Sequence, residues 1–232
     1  MNRSARFCIL LAGLLFLFPA RDIPGQPSER SDGEPDEIVF CVLKYGGGGD
    51  WYNGLAGVRN FIIAFRQITG LSIAPREKVV TLLDDELFQY PFLYLNGHGN
   101  ISLTDAEVRR LRLYLENGGF LFCNDDYGLD SSLRRELAKV FPDNPLVEVP
   151  FSHPLYRCWF QFPSGPPKVH EHDGGPARGF GIFLNGRLAL YYASEADIAD
   201  GWEEEWVHND PASIREQAVH LGVNILICSL TQ

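Results

Sequence analysis

Hydrophobic positions along the chain alternate between two rhythms. Ile38-Val39-Phe40-Cys41-Val42-Leu43 is an unbroken apolar run, the signature of a strand buried on both faces. Leu55, Val58, Ile62, Phe65 and Ile68 then recur at helical spacing, and Gly70 marks the end of that helix. Short strands are predicted at residues 79–82, 90–95 and 120–123. Between the last two, Thr104 and Glu107 form a capping box for a helix whose core face is Val108, Leu111 and Leu115. Leu133, Leu137, Val140 and Phe141 predict a further helix stopped by Pro142, and residues 146–149 a fifth strand. Strands alternating with helices in this way imply a parallel, doubly wound α/β sheet.

The rhythm then breaks. Residues 151–181 are rich in Pro, Gly, His and aromatic residues and read as an irregular excursion. Two apolar runs flanking Asn185-Gly186 predict a late β-hairpin. Residues 213–230 are read as a helix, although residues 223–228 alone would also suit a strand.

The opposite end of the chain has another character. Arg3 and Arg6 precede an apolar stretch at residues 7–18, so residues 1–20 read as a signal peptide, with an uncleaved membrane anchor as the alternative. Residues 21–37 are polar and lack hydrophobic period, as a linker would. The expected domain is 38–232, exported to the periplasm or beyond. With 20 Lys plus Arg against 30 Asp plus Glu, the net charge is −10, which makes nucleic acid and anionic membrane surfaces poor partners. A polar small molecule or an envelope protein is the expected partner. Cys41, Cys123, Cys158 and Cys228 allow three disulfide pairings, but their apolar settings suit buried free thiols.

In an open parallel sheet, ligands bind beyond the carboxyl ends of the strands. Three predicted strands run there into unusual polar sequences. The first enters Lys44-Tyr45-Gly46-Gly47-Gly48-Gly49-Asp50-Trp51-Tyr52, the third Asn96-Gly97-His98-Gly99-Asn100, and the fourth Asn124-Asp125-Asp126-Tyr127-Gly128. The glycines would let backbone approach a ligand, although neither a Walker loop nor a dinucleotide fingerprint is present. Tyr45, Gly46, Gly47, Gly48, Gly49, Asp50, Trp51 and Asn96 are the expected ligand-binding residues, with Trp202 as an aromatic platform in a later acidic loop. His98 is the expected general base or metal ligand, partnered by whichever of Asp125 and Asp126 faces the cleft, since adjacent residues in an extended segment point opposite ways. His153, His170 and His172 are further candidate ligands to join His98 and Asp125 around a divalent metal, though no spacing matches an established zinc signature.

These stretches, with residues 151–156, Gly186-Arg187-Leu188-Ala189 and Asp200-Gly201-Trp202-Glu203, resemble a bacterial domain-of-unknown-function family over residues 38–230. That family is similar to the class I glutamine-amidotransferase-like superfamily, near trehalose-utilisation-like proteins. The resemblance implies a flavodoxin-like sheet. It also implies a cysteine nucleophile on a strand-to-helix elbow, which this chain lacks: the elbow after the third strand carries His98, and Cys123 lies within its strand. Three readings follow: a cleft binding a carbohydrate-like molecule, a metal-assisted hydrolase using His98 and Asp125 or Asp126, and a non-catalytic envelope scaffold.

Overall fold

The computed structural model describes residues 37–232; the predicted signal peptide and all but the last residue of the linker lie outside them. Seven strands form one sheet: β1 (Cys41–Leu43), β2 (Lys78–Val80), β3 (Phe92–Leu95), β4 (Phe120–Asn124), β5 (Val147–Glu148), β6 (Arg178–Leu184) and β7 (Arg187–Ser194). Their order is β2-β1-β3-β4-β7-β6-β5. The first five in that order are parallel, and β6 and β5 add antiparallel pairs at one edge. This is a flavodoxin-like α/β fold.

Alternation along the strands builds two cores. Val42, Tyr94, Phe122 and Tyr191 face one side, where α1 (Leu55–Thr69) and α5 (Ala212–Thr231) cover them. Leu43, Leu95, Cys123 and Tyr192 face the other, under α2 (Asp105–Glu116) and α3 (Asp130–Val140). The capping box closes as expected, Thr104 accepting from the Glu107 amide while the Glu107 carboxylate accepts from the Thr104 amide. Asn185 and Gly186 both take positive φ, 52° and 83°, as a tight hairpin turn requires. The last helix is α-helical throughout residues 223–228, so the strand alternative is discarded.

Two expectations change. The fifth parallel strand is not residues 146–149. Only Val147 and Glu148 pair there, exposed and antiparallel, between Pro145 and Pro150. Its place beside β4 belongs to β7, the second arm of the hairpin, which is buried almost throughout. The hairpin therefore completes the sheet, and the segment after β7 reaches the same edge as the loops after β1, β3 and β4.

Cys41, Cys123 and Cys228 are buried free thiols and Cys158 is an exposed one. No helix among the described residues is long and apolar enough to cross a membrane.

Candidate metal centre

The loops at that edge enclose a cleft of about 300 Å³. A wider groove of about 560 Å³ runs between α1 and α5, but it is lined largely by apolar side chains such as Ile63, Ile68 and Val219. The chemistry is concentrated in the smaller one. Four of the chain's six histidines (His98, His170, His172 and His208) line it, together with Asp126, Glu171, Asp197, Asp200 and Glu203. No lysine or arginine does so among the described residues.

The glycine loop supports this cleft from outside. Gly46 pairs with Ser102, the Gly49 amide donates to the Asn100 carbonyl at 2.9 Å, and the Asn100 side chain donates to the Gly47 carbonyl at 2.9 Å. A Cβ on Gly47 would lie 2.4 Å from the Ser102 nitrogen, and φ there is +110°. The glycines thus let two loops pack backbone to backbone, and Gly46, Gly47, Gly48 and Gly49 do not line the cleft. Gly47→Ala is expected to cost about 2 kcal/mol of stability in urea denaturation. Gly48→Ala, with nothing within 4 Å of its Cβ, should cost less. Equal losses would contradict the close-approach account.

Other predicted ligand-binding residues are also supports. The Tyr45 hydroxyl donates to the Asn96 carbonyl at 3.0 Å, and the Asn96 side chain accepts from Asn124 at 2.8 Å. Trp51 packs beneath Lys44 and against Tyr52. Trp202 is a core residue, not an exposed platform: it stacks on Phe61 with centroids 4.4 Å apart, and its indole N–H donates to the Ala218 carbonyl. Asp50 does reach the site, holding His98 Nδ1 at 3.1 Å through Oδ2 and accepting from the His98 amide.

The adjacent aspartates part as strand geometry requires. Asp125 turns away and accepts from the Glu195 amide at 2.6 Å, so it is neither cleft acid nor metal ligand here. Asp126 enters the cleft, where Asn53 donates to Oδ2 at 3.1 Å and His98 Nε2 lies 3.5 Å from Oδ1. Asp197, in a left-handed conformation with φ 42°, accepts from Asn124 at 2.9 Å and pairs with His172 at 3.1 Å. Asp200 lies 3.4 Å from His208 and 3.9 Å from His170.

Two ligand sets result. One oxygen each from Asp126, Asp197 and Asp200 lie within 4.8 Å of one another, and so do ligand atoms of His170, Asp200 and His208. His153 takes no part. Its Nδ1 accepts from the Leu155 amide, its ring packs on Phe183, and burial lowers its pKa.

Gathering carboxylates without fixed cations holds protons on them. Burial, then the neighbouring charge of Asp197, pushes Asp126 up to about 6. Burial, then Asp197 and Asp126, push Asp200 higher still. The hydrogen bond to Asp197 raises His172. In the metal-free protein the native state therefore binds more protons than the unfolded chain above about pH 4. Stability must fall as pH rises through that window, by up to about 1.4 kcal/mol per pH unit for each such proton. The melting temperature of chelator-treated protein is expected to drop between pH 5 and pH 8, and Asp200→Asn to flatten the slope. An unchanged slope in the variant would contradict this assignment.

A family model described as a domain of unknown function (DUF4159) matches residues 39–230. The chain belongs to this family. The DUF4159 match takes in every loop that builds the cleft, from Asn53 to His208. Within it Cys123 is fully buried, and burial raises its pKa, so the segment after β4 presents Asp126 and Tyr127 to the cleft and no thiol.

In this DUF4159 chain His98, Asp126, His170 and His172 line the cleft as expected candidates, and Asp197 and Glu203, expected only within an acidic loop around Trp202, join them there with Asp200 and His208, which sequence did not single out as site residues. The signal that places Asp197, Asp200 and Glu203 is β7. A fully apolar run ending in Ser194-Glu195-Ala196-Asp197 carries its following acids to the ligand edge once it is placed beside β4.

Proposed function

We propose that this domain is a divalent-metal-dependent hydrolase cleaving an ester or amide bond in a neutral, polar, carbohydrate-like molecule. One observation carries the reading: imidazole and carboxylate ligand atoms of His170, Asp200, His208, Asp126 and Asp197 converge in one cleft. Mixed nitrogen and oxygen donors suit zinc, manganese, iron or nickel. Such an ion would polarise the carbonyl and lower the pKa of the attacking water.

The chain's own residues supply the rest. Asp50 beside Nδ1 orients His98 so that Nε2 faces the cleft. Nε2 accepts the water proton as oxygen adds to the acyl carbon; the carbon–oxygen or carbon–nitrogen bond then breaks, and the proton passes to the leaving group. The acidic surroundings disfavour anionic substrates such as phosphate esters. Tyr127, 58% exposed on the cleft wall and edge-on to His172, offers a ring face to a sugar. The same proposal places the substrate outside the cytoplasm, in keeping with the signal-like residues 1–20.

The test uses the full chain, loaded with Zn²⁺ or Mn²⁺, against O-acetylated and N-acetylated oligosaccharides, with phosphomonoesters as the comparison. Acetate release that a chelator abolishes and added metal restores is the expected result. Turnover of phosphomonoesters alone, or none across the panel, would overturn the reading.

A further inference from the structure

We infer that Cys158 and Cys228 are a dithiol pair that closes to a disulfide under oxidising conditions and staples the start of the 151–181 excursion to α5; no part of this depends on the metal. The Cys158 thiol donates to the Asn224 carbonyl at 3.4 Å. That carbonyl lies within α5, where it also accepts from the amide four residues on, which is that of Cys228. Side chains on a helix lean toward its N-terminus. Cys228 therefore reaches back over the turn of Asn224, where the Cys158 sulfur sits. Burial raises the Cys158 thiol, and the Cys228 amide is among the backbone donors that offset this. Burial, then the charge of Cys158, pushes Cys228 up to about 12, as a neighbouring thiol would.

The approach of the two is fixed by other contacts. Asn224 is fully buried; its side-chain oxygen accepts from the Phe160 amide, and its nitrogen donates to the Leu155 and Phe160 carbonyls, all at 2.8 Å. Phe160 also stacks on His220, one turn earlier in α5, with ring centroids 3.6 Å apart. Cys158 thus lies between two anchored residues, against the helix.

The other pairings are closed. Cys41 and Cys123 are buried in the core on the opposite face of the sheet from Cys228. They sit on β1 and β4, the two strands that flank β3, which sets them about 9.5 Å apart and beyond disulfide reach of each other.

Solvent reaches Cys158, so it is the entering sulfur. Its thiolate attacks a low-molecular-weight disulfide, whose sulfur–sulfur bond breaks as one thiol leaves. The Cys228 thiol then gives up its proton and attacks the Cys158 sulfur of the mixed disulfide, releasing the second thiol. Two cysteine thiols are oxidised and one disulfide is reduced to two thiols. An oxidising setting is the one expected for an exported protein. The bond would fasten the chain upstream of His170 and His172, which the same excursion carries to the cleft.

The experiment incubates the purified full chain with oxidised glutathione, maps its thiols by peptide mass spectrometry and records its melting temperature. A Cys158–Cys228 cross-linked peptide is expected, with melting raised by roughly 5–10 °C and returned to its starting point by dithiothreitol. Cys228→Ser should show neither and should carry glutathione on Cys158 instead; the wild-type map stands by itself if that variant fails to fold. Wild type holding glutathione on Cys158 alone, a bond joining Cys158 of two chains, or thiols left unreacted would each overturn the inference.

Discussion

Asp200→Asn is expected to lower Mn²⁺ or Zn²⁺ affinity by at least about 100-fold and to abolish chelator-sensitive hydrolysis. Asp200 is the one residue common to both ligand sets, so its loss strips each of a carboxylate. The substitution keeps the shape of the side chain and removes a charge that its neighbours already disfavour. The metal-free variant should therefore melt no lower than the metal-free wild type. That pairing separates loss of metal from loss of fold. A variant that keeps wild-type metal content would show that Asp200 only lines the wall.

The second large effect is expected at His98. His98→Gln should lower kcat by roughly 10²- to 10⁴-fold, the range for loss of a positioned general base, while metal content stays unchanged. His98 belongs to neither converging ligand set. It stands at the rim, half exposed, tied to Asp50 on one side and 3.5 Å from Asp126 on the other. Asp50→Asn should give a smaller loss of kcat with little change in KM, because Asp50 acts through the orientation of His98. A fall in bound metal in His98→Gln would instead make His98 a ligand.

Much of this was legible in the chain itself, for physical reasons. β1, β3 and β4 are buried on both faces, so each writes a continuous apolar run. Their polar extensions then had to share one edge. The divergence of Asp125 and Asp126 followed from the alternation of an extended segment. What stayed hidden was long-range. An Asn-Gly turn announces a hairpin but not which strand its outer arm will join, so the hairpin is predicted while the pairing of β7 with β4 is not.

With β7 misplaced, Asp197 and Asp200 had no route to the cleft. His208 lies on the four-residue helix α4 (Glu205–His208), too short to carry a periodic pattern. Trp202 misled because a tryptophan between acidic residues resembles a sugar platform. Its true partner, Phe61, sits on a helix far away in the sequence. The glycine loop misled for a related reason: its freedom serves another stretch of backbone, Asn100 to Ser102, and not a ligand.

The central claim is that this cleft is a metal centre, and anomalous X-ray diffraction at the manganese or zinc edge tests it most directly. Crystals of the metal-loaded chain should show anomalous density in the cleft beside Asp200, His170 and His208. Fully loaded crystals with no anomalous density inside the cleft would contradict the account.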